Sequence, residues 1–462
     1  MAVQSPVRED LPRSASAGGF DGVPPWPTPG QAWRTLWILS LVLGLSQIDR
    51  NILSLLLQDI KADLGLTDTQ MAVLIGFAFA VLYLPLSFPL SLISDRKSRR
   101  TMIALGVGFW SVCTAACGLA QGYWSMFAAR AGIGAGEAVN GPATYSLLGD
   151  SFPREKLPRA MAILNLGFMG GTALSLILGA GVIAAVSKVQ IVLPWTGVMK
   201  GWHLVFLAIG LPGLVVAALT MTITEPARRG LTVQRLTGWK SFFEVFPFLA
   251  KNARFYGCMF ASVFLNGIII YGSTNFRAAF FARSYHWSSA RYGLVYGVAS
   301  LVTSLLGLYA GTWLCEHLNK RHDDGNMRVA ILAYALAIPF SASFTLMPNP
   351  WLAVLCGAVG VGLALAAAPP VVAAMQSITP GHVRAQVNSL YLLLFSGLTG
   401  IFGPIVIGWL TDLQHDQNKL GLVIAVVSAI GLPIAVVVQS FALKPFGKMI
   451  ERLKAEEAAA QG

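Results

Sequence analysis

The chain has 462 residues, of which 55% are hydrophobic and only 12% are charged, and its mean hydropathy is +0.64. Soluble domains carry about twice that fraction of charge, so the composition excludes a string of soluble domains. The formal net charge of +12 would suit a nucleic-acid-binding protein. The positions of the charges must therefore decide between that class and a membrane protein.

The chain begins with a polar tail and continues as a series of apolar runs. Residues 1–33 contain six Pro and lack the apolar core of a signal peptide, which predicts a disordered cytoplasmic tail. Each later run is long enough to cross about 30 Å of hydrocarbon. The twelve runs cover residues 34–57, 69–93, 101–120, 124–148, 159–186, 202–223, 252–275, 290–317, 327–347, 351–376, 384–411 and 417–442. The predicted fold class is an all-α membrane protein with twelve transmembrane helices.

The basic residues cluster on one side of these runs. With both termini in the cytoplasm, the inner segments hold 24 of the 33 Lys and Arg, the outer loops hold 7, and 2 lie within helices. This is the positive-inside asymmetry, and it explains the net charge without nucleic acid. We expect an integral protein of a bacterial inner or plasma membrane, working as a monomer. The five Cys and six His show no ligand spacing, so no metal or cofactor is expected.

An internal repeat fixes the architecture. Glycines and prolines recur at offsets of 226 or 227 residues: Gly134, Gly136, Pro142 and Pro153 match Gly360, Gly362, Pro369 and Pro380. Two pseudo-symmetric six-helix bundles, 34–223 and 252–443, are predicted, with the substrate site between them. A cytoplasmic tail, 444–462, is expected to form one short helix.

The segment 224–251, which joins the two bundles, carries an apolar stripe. Trp239, Phe242, Phe243 and Phe246 follow helical spacing, with basic residues nearby. The pattern predicts an amphipathic helix on the cytoplasmic lipid surface. A linker packed against the bundle is the alternative.

Several sequence motifs resemble those of a known family. The stretch Ser91-Leu-Ile-Ser-Asp95-Arg96-Lys-Ser98-Arg99-Arg100 resembles the loop signature G-x-x-x-D-R-x-G-R-R of the major facilitator superfamily, with serine replacing both glycines. Asp49-Arg50 together with "RAGIGAGEA" on the fourth helix resembles the spinster branch. The resemblance implies export of lysophospholipids or sphingoid phosphates, with acidic residues of the first and fourth helices acting in proton coupling.

Charged side chains at membrane depth are functional suspects, because each costs at least about 2.5 to 3.5 kcal/mol to insert. A rise of about 1.5 Å per residue places Asp49 and Arg130 at the same depth, and Glu137 lies two turns further in on the face of Arg130. We expect Asp49 and Glu137 to be the proton-coupling acids and to compete for Arg130. Arg130 and Arg50 are the expected partners of an anionic head group.

A buried ion pair can also act as a simple structural lock between two helices. The residues of the second half that correspond to Arg130 and Glu137 are Cys356 and Leu363, so the charge is predicted to be confined to the first half. A lock would be expected in both repeats, whereas a coupling site is needed in only one, and this favours the coupling site.

Polar residues amid apolar walls suit an amphiphilic substrate. The predicted cavity-lining residues are Asn140, Tyr145, Asn266, Tyr271, Asn275, Tyr296, Asn388 and Tyr391. Hydrogen bonding between helices is the alternative role for each of them.

Basic loop residues near helix ends can pair across the bundle and close its inner mouth. The predicted cytoplasmic gate comprises Asp95, Arg96, Arg99 and Arg100 with Asp150 and Arg159.

A secondary transporter is the predicted function class. A membrane enzyme would need a nucleophile, paired-carboxylate or metal motif, and a receptor or channel would not need parallel halves. The expected function is proton-coupled transport of an amphiphilic, anionic lysolipid or sphingoid-like substrate by rocker-switch alternating access, in contact with membrane lipids. The alternative is a symporter or exporter of a small organic anion or drug.

Overall fold

A computed structural model describes residues 26–94, 97–153, 155–186, 191–193, 197–228 and 245–461. The first half comprises α1 (Pro29–Leu55), α2 (Leu57–Leu64), α3 (Asp68–Ile75), α4 (Phe77–Ser94), α5 (Arg99–Cys117), α6 (Tyr123–Glu137), α7 (Asn140–Ser151), α8 (Leu157–Val186), an antiparallel pair of short strands, β1 (Ile191–Leu193) and β2 (Gly197–Met199), and α9 (Gly201–Met221). The second half comprises α10 (Val245–Lys251), α11 (Ala253–Tyr285), α12 (Ser289–Asn319), α13 (Gly325–Ser343), α14 (Pro350–Ile378), α15 (Gly381–Leu392), α16 (Thr399–Leu413), α17 (Leu420–Ser440) and α18 (Leu443–Gln461). A π-helical segment, Leu393–Leu398, joins α15 to α16.

Local sequence signals set the helix starts. Thr28 and Gln31 exchange hydrogen bonds between their side chains and backbone N–H groups, and this capping box starts α1 with a proline at its first position. Thr67 and Gln70 form the same arrangement at the start of α3. The preceding α2 ends at Gly65, which adopts a left-handed φ of 62° that glycine tolerates best.

Helices occupy all twelve predicted runs. Ten helical stretches are long and apolar enough to cross a membrane. The fourth and fifth runs lie on α6–α7 and on α8. Successive crossings alternate in direction. The end of the bundle where α1 begins is the proximal end, and the end where α1 finishes is the distal end.

Two predicted boundaries are wrong, and parts of others are not covered. The helix α1 begins inside the predicted tail, because the capping box at Thr28 lies before the first apolar residues. The helix α11 continues to Tyr285 instead of ending near 275, so Arg277 and Arg283 belong to a helix rather than to an outer loop. Most of the predicted tail 1–33 and linker 224–251 lies outside the described residues. The C-terminal tail does form a helix, α18.

Repeated glycines allow neighbouring helices to pack closely in both halves. A Cβ on Gly136 of α6 would lie 2.9 Å from the carbonyl oxygen of Gly106 on α5. A Cβ on Gly362, the repeat equivalent on α14, would lie 2.5 Å from the carbonyl oxygen of Thr303 on α12. Such contacts between backbones favour helix association within lipid, where burying apolar surface gives no driving force.

The halves contact each other through their distal parts. Gly76, between α3 and α4, packs against the backbone of Gly400 and Ile401 on α16. Gly293 of α12 packs against the carbonyl oxygen of Leu176 on α8. Every hydrogen bond and ion pair between described residues of opposite halves also lies in the distal part. The distal end is therefore closed in this conformation.

Glu225 organises the proximal end of the first half. Its carboxylate accepts hydrogen bonds from the backbone N–H groups of Arg99 and Arg100 at the start of α5, from the Ser98 hydroxyl, and from Nε of Arg99 at 2.9 Å. Partial burial opposes ionisation, but these donors outweigh it and hold the pKa of Glu225 below its ordinary value. A negative charge at a helix N-terminus is also favoured by the helix dipole.

We expect Glu225→Gln to lower the Tm of the purified protein by about 1–3 °C at pH 7, because losing charged hydrogen bonds costs about 1–3 kcal/mol and each kcal/mol shifts the Tm of a chain of this length by about 1 °C. A carboxylate whose pKa is depressed on folding stabilises the protein above its unfolded-state pKa, and this contribution disappears as the pH falls through the folded-state pKa. The difference in Tm between variant and wild type should shrink on acidification to about pH 4, near the ordinary pKa of Glu.

The matched control is Asp323→Asn, which removes an exposed ion pair with Lys454 at the same end of the molecule. Exposed pairs contribute about 0–1 kcal/mol, so its Tm should stay close to that of the wild type. An equal drop for both variants, or a Glu225→Gln difference that does not change with pH, would contradict the role given to Glu225.

Candidate functional site

An ion pair between α1 and α6 forms the centre of the site. Arg50 Nη2 lies 2.7 Å from Oε2 of Glu137, and Nε of the same guanidinium lies 3.0 Å from that oxygen. The hydroxyl of Ser46 donates to Oε2 at 2.8 Å. The other oxygen, Oε1, is buried and has no hydrogen-bond partner among the described residues. Glu137 is thus held by one charged partner and one neutral donor.

Asp49, the neighbour of Arg50 in sequence, is buried without an ion pair to any described residue. Its side chain lies beside Trp110 and Thr114 of α5, but neither donor reaches hydrogen-bond geometry with Oδ1. Only 2% of Asp49 is exposed. A buried carboxylate with so little compensation is costly as an anion, and binding a proton removes its charge.

Arg130 does not share its charge with the two acids in the way the sequence predicts. Its guanidinium donates to three backbone carbonyl oxygens, those of Asp49 at 3.1 Å and of Leu74 and Ile75 at 3.3 Å each. The last two lie at the end of α3, next to the interruption at Gly76. A helical side chain leans toward the N-terminus of its own helix, so Arg130 extends away from Glu137. Arg130 therefore lies against the backbone of Asp49, but the predicted pairing with the two acids is not found among the described residues.

Arg50 is the accessible member of this group. Its side chain is 37% exposed, whereas that of Glu137 is 1% exposed. The guanidinium carbon lies 4.4 Å from the ring centroid of Phe79 and 5.3 Å from that of Tyr83, both on α4. A guanidinium over aromatic faces can bind an anionic group while apolar atoms pack alongside.

The remaining predicted lining residues of the first half are not part of this group. Asn140 is buried and accepts a hydrogen bond from Thr144 one turn further along α7. Tyr145 is exposed.

The predicted lining residues of the second half divide into two groups. Asn275 accepts a hydrogen bond of 2.6 Å from Ser54 of α1, so it joins the two halves. Asn266 is fully buried and donates to Ser262 one turn earlier on α11, and the Ser262 hydroxyl in turn donates to Gln439 of α17. The rings of Tyr271 and Tyr391 both contact Phe395. Asn388 does not join them and instead borders a separate small pocket.

Tyr296 leads to a charged residue that the sequence did not reveal. Its hydroxyl oxygen accepts a hydrogen bond from Nη1 of Arg277, which is 4% exposed on α11. The prediction that buried charge is confined to the first half is therefore wrong. Arg277 falls outside the predicted apolar run because charged residues follow residue 275. The helical pattern continues to Tyr285, and that continuity is the sequence signal for a helical Arg277.

The predicted gate residues that the structure describes stay within the first half. Arg99 is 1% exposed and pairs with Asp150 at 2.5 Å as well as with Glu225. Arg100 donates to the carbonyl oxygen of Ile223, and the guanidinium of Arg159 lies 5.7 Å from the ring of Trp33. Asp95 and Arg96 lie outside the described residues.

A second charged group closes the distal end. Asp68, at the start of α3, is fully buried and pairs with Lys61 at 2.7 Å and with Arg283 of the other half at 2.6 Å. Asp412 of α16 accepts hydrogen bonds from the backbone N–H groups of Asp68 and Thr69. These four charged residues, Lys61, Asp68, Arg283 and Asp412, form the distal cluster. The hydropathy pattern did not predict this cluster, because its residues lie at or beyond the ends of the apolar runs.

A small cavity lies between the halves. Residues from both halves line it, among them Asn51, Ser54, Thr172, Thr274, Tyr292 and Tyr296.

Known proteins are similar to this chain in sequence. A protein described as an MFS-type efflux pump from Mycolicibacterium smegmatis is 25% identical over 394 residues, covering 84% of this chain and 86% of that protein. A probable L-galactonate transporter from Escherichia coli is 27% identical over 180 residues, covering 39% of this chain and 36% of that protein.

Solved structures show the same fold. The structure of a bacterial homolog of the human lysosomal transporter Spinster, inward-facing and unoccupied, superposes with a TM-score of 0.76 at 22% identity. The superposition covers 92% of this chain and 97% of that one. The family model of the Major Facilitator Superfamily matches residues 39–404. With two six-helix halves, a buried charged centre and this match, the chain belongs to the Major Facilitator Superfamily.

Proposed function

We propose that the protein is a proton-coupled secondary transporter of an amphiphile with an anionic head group. The observation that carries this proposal is the pairing of Arg50 with Glu137 beside the uncompensated Asp49. The proximal end is assigned to the cytoplasm by the excess of Lys and Arg there. Access would alternate as the two halves rock about a site near the middle of the bilayer.

Arg50 is the residue that exchanges partners. While Glu137 is ionised, it neutralises the guanidinium at 2.7 Å. A proton on Glu137 removes the attraction, and Arg50 can then bind an anionic head group from the accessible side. Asp49, the sequence neighbour of Arg50, is buried without an ion pair to a described residue, so a proton on Asp49 would remove a second buried negative charge from this site.

The distal cluster supplies the conformational part of the proposal. Its bonds join Asp68 of the first half to Arg283 of the second, and they exist only while the distal ends are together. Opening this end must break them and hydrate the charges. A substrate or proton that binds the two conformations with different affinity can shift their populations by that difference.

A small organic anion is the second candidate substrate. The accessible guanidinium of Arg50 would suit a carboxylate as well as a phosphate, and the partial match to the probable L-galactonate transporter favours this class. The aromatic residues Phe79 and Tyr83 beside Arg50 favour a substrate with an apolar part. Acidification of sealed vesicles by lysophosphatidate, compared with L-galactonate, distinguishes the two classes.

Substituting the acids tests proton coupling. We expect Asp49→Asn and Glu137→Gln each to lower proton-driven uptake of lysophosphatidate into proteoliposomes at least about tenfold, which corresponds to about 1.4 kcal/mol. The rate that remains should depend less steeply on pH than that of the wild type, because one of the two proposed titrating acids is absent. Glu451→Gln on α18 is the control and should behave like the wild type. Intact pH dependence in both acid variants would refute the assignment.

Substituting Asp68 tests whether the distal cluster holds the distal end closed. Asp68→Asn leaves Lys61 and Arg283 without their buried anion, so we expect the population with an open distal end to rise. Spin labels at Gln121 and Pro348, on exposed loops of opposite halves, report the distance across this end in a variant without native cysteines.

The control for the Asp68→Asn experiment is Asp63→Asn. Asp63 lies near Asp68 but pairs with Lys200 and Trp202 of its own half. Breaking that pair should leave the label distances unchanged. If Asp68→Asn gives the same distance distribution as Asp63→Asn, the cluster does not hold the distal end closed.

A further inference from the structure

Arg277 is a buried cation with no acidic partner among the described residues. Its Nη1 donates to the hydroxyl of Tyr296, and its Nε is buried without a hydrogen-bond partner. The guanidinium carbon lies 4.8 Å from the ring centroids of both Tyr296 and Phe344. Neutral phenol and aromatic faces compensate a buried charge only in part. The nearby residues thus leave this guanidinium able to bind an anion.

Arg277 lies directly behind the cavity between the halves. Thr274, one turn earlier on α11, and Ala278, the next residue, both line that cavity. Tyr296 lines it as well and is the hydrogen-bond acceptor of Arg277. Tyr292 stacks on Tyr296 with ring centroids 5.2 Å apart. The two tyrosines therefore form a wall between the guanidinium and the cavity.

The same two turns of α12 hold the first half in place. Gly293 and Gly297, each next to one of these tyrosines in sequence, pack against Leu176 and Ala173 of α8. Separation of the distal ends would break these contacts and move α8 away from this face of α12. The two tyrosines would then no longer be packed between the halves, and Arg277 would gain access to the widened cavity.

We propose that Arg277 is a second anion-binding residue, which takes the acidic head group of the substrate in the conformation open at the distal end. The hydroxyl oxygen of Tyr296 occupies the position of a substrate oxygen in the closed conformation. The acidic group would thus bind Arg50 on the first half and Arg277 on the second half at different stages of transport. This inference rests on the proposed function, because it assumes an anionic substrate.

The experiment compares Arg277→Gln and Arg277→Lys with the wild type in proteoliposomes of a single protein orientation. The probe is lysophosphatidate, and a monoacylglycerol of the same chain length is the uncharged reference. We expect Arg277→Gln to raise the half-saturating concentration of lysophosphatidate at least about tenfold from the distal face only, and Arg277→Lys to restore it in part. Binding of the monoacylglycerol should not change, because it carries no charge for the guanidinium.

Arg291→Gln is the matched control. Arg291 is an exposed cation on α12, next to Tyr292 in sequence, and its guanidinium carbon lies 4.4 Å from the ring centroid of Trp287. The Arg291→Gln substitution should leave the half-saturating concentration at both faces unchanged. A Gln variant that keeps the wild-type half-saturation at the distal face, or that changes both faces equally, would overturn the inference.

Equilibrium binding of lysophosphatidate to the purified protein, measured by native mass spectrometry, separates this inference from the proposed function. If the wild type binds the lipid but transports neither lipid nor protons, the proposed function is wrong. Loss of bound lipid in Arg277→Gln still supports the anion site in that case, and unchanged binding overturns it.

Discussion

The ion pair between Arg50 and Glu137 is the constraint around which the first half is arranged. It ties α1 to α6 at membrane depth, where a lone charge is expensive. Asp49 is left beside it without a cation of its own, because Arg130 is committed to backbone carbonyls. In the proposed mechanism, a proton on Glu137 frees the Arg50 guanidinium to bind the anionic group of the substrate.

The second half contributes two buried cations, Arg277 and Arg283. Arg283 bonds to Asp68 across the distal end, and Arg277 stays within its own half, facing tyrosines. The proposed coupling needs two ion pairs, Arg50–Glu137, which a proton would break, and Asp68–Arg283, which opening of the distal end would break.

Hydropathy and the internal repeat predicted the twelve spans and the two halves, since a bilayer imposes span length directly. The depth of Asp49 and Arg130 was also predictable from helical rise. The partner of Glu137 was not, because rise along a helix gives height but not the direction in which a long side chain extends. Arg277, Arg283 and Asp68 were missed for a different reason. A charged residue ends an apolar window even when the helix continues through it and a neighbouring helix neutralises the charge.

The π-helical segment Leu393–Leu398 affects how the eleventh crossing should be compared with its relatives. A π-type turn holds one residue more than an α-turn, and one residue corresponds to about 100° of rotation. The sides of α15 and α16 are therefore offset, so Asn388 and Gly403 do not fall on the faces that a continuous helical wheel would give them. A helical wheel drawn through Leu393–Leu398 as if it were α-helical would therefore misplace the residues of α16 relative to those of α15 by about 100°.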